Sequence, residues 1–217
     1  MKLPQLMIFD MDGLIFDTER LFRDMLMNTA SQYGYTITEE MYVSTIGMSG
    51  TNLEKKMISY FGEDYPFSEI SHKARQALNE YAQENSLPIK PGIINLLNFF
   101  QEKLVKCCVC SSTHSPYVKE YLKLARIDKY FDFVIGGEMV SNSKPSPDIF
   151  LKACEITGRL PKDCLVIEDS QNGLLAAINA SIPAVCVPDL KMPDEEILKK
   201  TACVINQADC LIDIFEC

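Results

Sequence analysis

Two aspartates stand two residues apart at the end of a short apolar run, Leu6-Met7-Ile8-Phe9-Asp10-Met11-Asp12-Gly13. Similar runs precede Ser111-Ser112 and Glu168-Asp169, and Lys144 lies just before a helical stretch that follows another. In an open parallel sheet, ligands sit outside the carboxyl ends of the strands, so polar residues at those ends belong to one reading. Four carboxylates on one rim repel each other strongly at low dielectric unless a cation joins them, and an all-oxygen donor set suits Mg²⁺. The chemistry implied is a metal-assisted reaction on an anion, with Lys144 and a serine hydroxyl left to hold that anion.

Each piece alone has a plainer explanation. Asp12-Gly13 is a common turn dipeptide, Ser111-Ser112 can be a turn, Lys144-Pro145 can be an exposed loop, and Glu168-Asp169-Ser170 can cap the helix over 172–180. The conjunction carries the argument, because all of these residues fall at strand exits or loops of one sheet, in a consistent order.

The elements that must position them are legible from periodicity. Apolar runs at Leu6–Phe9, Lys106–Cys110, Phe133–Ile135, Leu165–Ile167 and Ala184–Val187 read as buried parallel strands. Between them, apolar residues spaced by three and four (Ile93, Leu96, Leu97, Phe100; Val118, Tyr121, Leu122; Ile149, Phe150, Ala153, Ile156) mark amphipathic helices. Ser115-Pro116 and Ser146-Pro147 place a capping hydroxyl before a proline, and Gly158 can close a helix. From about residue 90 onward the alternation predicts an α/β fold, a Rossmann-like parallel sheet with helices on both faces.

Residues 18 to about 88 break that rhythm with helical stripes only (Phe22, Met25, Leu26, Thr29, Tyr33; Leu53, Met57, Phe61), the second opened by a capping box at Thr51 and Glu54. The expected organisation is a core of residues 1–16 and 89–217, with a small all-helical domain of residues 17–88 inserted after the first strand.

The 217 residues carry a net charge of −9, which repels polyanions and anionic bilayers, so nucleic-acid and membrane partners are not expected. No apolar stretch reaches the ~20 residues of a membrane helix and no signal peptide is visible, so a cytoplasmic location is expected; a monomer is expected as well. The nine cysteines sit mainly in apolar runs and read as reduced core thiols. Cys107 and Cys110 match CxxC, but no second pair follows at zinc spacing.

Four motifs in order, Phe9-Asp10-Met11-Asp12-Gly13-Leu14, Val109-Cys110-Ser111-Ser112, Ser143-Lys144-Pro145-Ser146-Pro147-Asp148-Ile149-Phe150 and Val166-Ile167-Glu168-Asp169-Ser170-Gln171-Asn172-Gly173, resemble those of the haloacid dehalogenase-like hydrolases. The resemblance is to the β-phosphoglucomutase-like phosphatase subgroup with a helical cap. It implies that Asp10 is a nucleophile forming an aspartyl-phosphate and that Asp12 is the general acid and base. It implies that Ser111, Ser112 and Lys144 bind the phosphoryl group, and that Mg²⁺ is held by Asp10, the backbone carbonyl of Asp12, and Asp169, with Glu168 direct or through water. The implied substrate is a small phosphate monoester, a sugar phosphate or similar metabolite.

The insertion departs from the mutase pattern of that subgroup. A histidine expected ten residues past the acid/base aspartate is Phe22, and a lysine and an arginine flanking a cap glycine (Gly47) are replaced by Ile46 and Gly50. Without these groups a bisphosphate intermediate lacks partners for its distal phosphate, so hydrolysis is favoured over the alternative, a β-phosphoglucomutase-type phosphohexomutase. Lys73, Arg75, Glu19 and Arg20 stand as cap contacts for an anionic substrate or as solvated helix faces. A receiver domain would be about half this length with its aspartate on a later strand, and a carbon–halogen dehalogenase would have no use for Asp12 or a metal.

Overall fold

Leu6–Phe9 forms β1, every residue of which is buried, as a run apolar on both faces requires. A computed structural model describes residues 1–48 and 50–216 of the chain. After β1 come α1 (Thr18–Gln32), α2 (Glu39–Thr45), α3 (Gly50–Phe61) and α4 (Phe67–Asn85), and then α5 (Ile93–Glu102), β2 (Lys106–Cys110), α6 (Ser115–Leu124) and β3 (Phe133–Ile135). The chain continues with α7 (Asp148–Thr157), β4 (Cys164–Glu168), α8 (Gln171–Asn179), β5 (Ala184–Cys186), α9 (Glu195–Leu198), β6 (Cys203–Val204) and α10 (Cys210–Glu216).

The sheet is parallel throughout, in the order β3-β2-β1-β4-β5-β6. The fold is therefore the α/β parallel sheet with helices that the alternation predicts. β1 lies between β2 and β4, so the chain leaves it in opposite directions across the sheet, and the loops at its carboxyl end meet at the switch point. β6, two residues long, is too short to be read from periodicity.

The chain divides into two compact units, one of Met1–Asp17 with Leu87–Cys217 and one of Thr18–Ser86. In the first unit, apolar residues of the strands pack with Ile149, Phe150 and Ala153 of α7 and Leu174, Ala176 and Ala177 of α8. Six of the eight described cysteines are buried and all eight are free thiols. Burial pushes the Cys107 and Cys186 thiols up to about 12, which keeps them protonated and unreactive. No helix among the described residues is long and apolar enough to cross a membrane.

The two segments joining the units lie side by side. Phe16 bridges Ile89 antiparallel, the Asp17 N–H donates to the Pro88 carbonyl at 3.0 Å, and the Lys90 N–H donates to the Ile15 carbonyl at 2.9 Å. In the helical unit, α4 buries Ile70, Ala74, Leu78 and Ala82, a repeat of four that makes one face, and α1 packs against it with Leu26, Thr29 and Ala30 buried. Tyr65 is stacked on Phe61 and meets Tyr35 edge to face. The Tyr42 hydroxyl donates to the carboxylate and the carbonyl of Glu19, so this acid is engaged within its own unit. Lys73 pairs with Glu69, and Arg75 lies over the ring of Phe22.

Three expected caps are corrected. Ser115 is the first residue of α6 rather than its cap, and its N–H is accepted by both carboxylate oxygens of Glu138, at 3.1 and 3.0 Å. A charge aimed at a helix N-terminus outcompetes a local hydroxyl there. Pro147 occupies the cap of α7, and the Ser146 hydroxyl donates instead to the Asp148 carboxylate. Thr51 falls inside the first turn of α3. Gly158 does close α7, in the left-handed conformation.

Candidate active site

The register builds the site. Phe9 pairs with Val109 of β2 and with Ile167 of β4, so one step further along, Asp10 lies level with Cys110 and Glu168. The Asp10 N–H donates to the Ile167 carbonyl at 3.1 Å, extending the ladder through the residue that bears the carboxylate. Beyond it the chain turns at once: the Gly13 N–H returns to the Phe16 carbonyl at 2.9 Å, and Gly13 takes φ +80°. That turn requires glycine twice over, because a Cβ there would also stand 2.4 Å from Asp169 Oδ2.

Lys144 arrives from the loop before α7 and is buried, 9% exposed, not a solvated loop lysine. Its Nζ donates to Asp10 Oδ1 at 2.5 Å, to Glu168 Oε1 at 2.7 Å and to the Cys110 carbonyl at 3.2 Å. The other oxygen of Glu168 accepts from the N–H and hydroxyl of Ser170 at 2.8 and 2.9 Å, while the Ser170 hydroxyl accepts from the Gly173 N–H and caps α8. The helix-cap explanation thus holds for Ser170, and Glu168 itself faces the lysine. A Cβ on Gly173 would collide with the Glu168 carboxylate at 1.6 Å, so small residues on two sides keep the acids in place.

Asp10, Glu168 and Asp169 are all buried, and each brings a carboxylate oxygen within 4.8 Å of the others. The Asp12 carboxylate is outside that group. Its Oδ2 accepts from the hydroxyls of Ser111 (3.1 Å) and Thr113 (2.8 Å), and Ser111 Oγ in turn accepts from the Thr113 N–H. Ser111 is buried, whereas Ser112 is exposed. Thr113, one residue past the recognisable motif, is the second hydroxyl on Asp12; no pattern in the sequence marks it.

The electrostatics follow from the count of charges. Burial pushes the Asp10 carboxyl well above the usual carboxylate range; Lys144 pulls the other way, and Glu168 and Asp12 push it further up. Burial acts to lower the Lys144 ammonium, but Asp10 and Glu168 outweigh it and hold this group above its ordinary value. Burial thus leads at Asp10 and the two carboxylates together prevail at Lys144, in a site that holds more carboxylates than cations. A divalent cation would relieve that excess. Three converging carboxylates with no nitrogen or sulfur donor among them fit a hard ion such as Mg²⁺, and Gly13 leaves open the space against Asp169 that a side chain would fill.

The chain is similar in sequence and in fold to known proteins. The family model of the haloacid dehalogenase-like hydrolases matches residues 7–187. A Drosophila melanogaster protein named probable pseudouridine-5′-phosphatase is 33% identical over 210 residues, 93% of this chain and 89% of its own. A phosphorylated carbohydrates phosphatase of Thermotoga maritima is 30% identical over 183 residues, 82% of each chain. The crystal structure of a β-phosphoglucomutase from Clostridium difficile superposes with a TM-score of 0.79 at 24% identity, over 99% of this chain and 96% of that one, a likeness that speaks for the fold. The chain belongs to the haloacid dehalogenase-like hydrolases. Hydrolysis of phosphoric monoesters is the activity class that goes with that membership.

Proposed function

We propose that the protein is a Mg²⁺-dependent phosphatase of a small phosphate monoester, a sugar phosphate or similar metabolite, working through an aspartyl-phosphate on Asp10. The observation that carries this reading is the division of labour among the acids: Asp10 sits with Lys144 and the metal-capable carboxylates, while Asp12 is set apart on two hydroxyls. Asp10, the backbone carbonyl of Asp12, and Asp169 would hold the ion, with Glu168 direct or through water. When bound, it supplies charge neutralisation between the anionic substrate and the carboxylates.

An Asp10 carboxylate oxygen attacks phosphorus, the bond from phosphorus to the ester oxygen breaks, and the protonated Asp12 carboxyl gives its proton to the departing alkoxide. Asp12, now a carboxylate, takes a proton from water. The hydroxide so formed attacks phosphorus, and cleavage of the phosphorus–Asp10 bond returns both acids to their starting states with inorganic phosphate released. Lys144 offsets the repulsion between Asp10 and the incoming phosphate, and the Ser111 and Ser112 hydroxyls are the donors assigned to phosphoryl oxygens. The helical unit, residues 18–86, serves in this reading as the cap that excludes water and recognises the rest of the substrate.

Trapping with an acyl phosphate, which needs little leaving-group protonation, followed by intact-mass measurement tests the assignment. Asp12→Asn should take up one phosphate and release it slowly, because proton transfer is worth roughly 10²–10⁴ in rate. Asp10→Asn should take up none. Labelling of the Asp10 variant at the wild-type level would place the nucleophile elsewhere.

A further inference from the structure

Asp189 follows β5 and Lys90 follows the return from the helical unit, and neither lies in any of the four motifs. Lys90 Nζ donates to Asp189 Oδ1 across 99 residues of sequence. The side chain of Asp189 is 2% exposed and that of Lys90 19%, so this ion pair is shielded from solvent and salt. Its neighbour gives it meaning. Asp189 Oδ2 and Asp169 Oδ2 face the same point, the place a Gly13 side chain would take, at 3.4 and 2.4 Å. Asp189 therefore brings a further negative charge up to a carboxylate of the candidate metal site, and Lys90 brings the positive charge that cancels it.

We propose that Lys90 and Asp189 are positioning residues, a charge-balanced pair behind Asp169 that sets how the site divides its affinity between a divalent cation and an anionic phosphate ester. The inference rests on the metal-dependent phosphatase reading. The pair's distinctive property is that its halves act with opposite sign. Removing the Lys90 charge makes the surroundings of Asp169 more negative, which draws a cation in and pushes a phosphate out. Removing the Asp189 charge makes them more positive and does the reverse.

The test uses the full chain and measures Mn²⁺ binding by the loss of the free-ion electron paramagnetic resonance signal, without substrate, beside KM and kcat for p-nitrophenyl phosphate with Mg²⁺. Lys90→Met should tighten Mn²⁺ and raise KM; Asp189→Asn should weaken Mn²⁺ about tenfold, the usual scale for partners of metal ligands, and lower KM. The double variant should return both quantities toward wild type. Lys90→Arg and Asp189→Glu, which keep the charges, should bind Mn²⁺ as wild type does and serve where the neutral variants fail to fold. Singles that shift Mn²⁺ affinity in the same direction, or by less than twofold, overturn the proposal, as does loss of Mn²⁺ binding in the charge-preserving variants. A wild-type chain that neither binds Mn²⁺ nor hydrolyses the ester overturns the underlying reading, and this proposal with it; wild-type binding without the opposite-signed split overturns the pair alone.

Discussion

Substituting Gly13 by alanine separates backbone strain from damage to the acid cluster. Two penalties are built into this position. A residue with a Cβ at φ +80° costs about 1–2 kcal/mol, equivalent to roughly 2–8 °C in Tm for a chain of this size. The new methyl would also stand 2.4 Å from Asp169 Oδ2, whereas an unbonded carbon–oxygen pair needs about 3.3 Å, so the carboxylate must retreat by about 1 Å. A displacement of that size in a reacting constellation costs on the order of 10²-fold in rate. Gly158→Ala is the matched control: φ is +64° with nothing within 4 Å of the added Cβ, so it carries the backbone penalty alone. Thermal denaturation and p-nitrophenyl phosphate turnover over a Mg²⁺ series should show both variants losing similar Tm, with Gly13→Ala alone losing kcat and needing more metal. Equal retention of kcat in the two variants would refute the assignment of Asp169 to the working site.

Excess chelator should abolish turnover and Mg²⁺ restore it; full turnover of p-nitrophenyl phosphate in EDTA would remove the metal from the scheme. Given β-glucose 1-phosphate and a bisphosphate primer, the enzyme should release inorganic phosphate, because Phe22, Ile46 and Gly50 provide no charge for a distal phosphate; efficient formation of glucose 6-phosphate would favour the mutase. Burial, then the Glu19 charge, raises the Tyr42 hydroxyl far above its ordinary value of 10.0. The unfolded chain gives up this proton near pH 10 while the folded chain keeps it, so stability falls as pH rises further, by up to about 1.4 kcal/mol per unit. Urea titrations between pH 9 and 11.5 should show a shallower decline in Tyr42→Phe, and parallel declines would disprove the coupling.

Strands β1 to β5 were legible because a buried parallel strand is an uninterrupted apolar run, and the helices of the α/β unit because their stripes are strong. Asp10, Ser111, Lys144, Glu168 and Asp169 could be read together because the sheet places strand exits on one rim. The residues that escaped reading are those whose role depends on a partner distant in the chain. Thr113 looks like any loop threonine until Asp12 is placed beside it, and Glu138 replaces a serine cap 23 residues away. Lys90 and Asp189 are 99 residues apart with no periodicity to connect them. β6 was missed because two residues carry no period at all.

The paired joining segments, with Phe16 on Ile89 and Asp17 on Pro88, bear on how such a chain can change over evolutionary time. Entry to and exit from residues 18–86 lie a hydrogen bond apart, so the sheet experiences the insertion as a closed loop. The entropy of closing a loop grows only logarithmically with its length, about 0.6 kcal/mol per doubling, and the inserted helices bury a core of their own. Lengthening, trimming or exchanging the insert therefore leaves strand pairing and the acidic rim nearly undisturbed. The insert can be replaced in one genetic step, between Asp17 and Leu87, with the strand exits that carry Asp10, Lys144, Glu168 and Asp169 left in place.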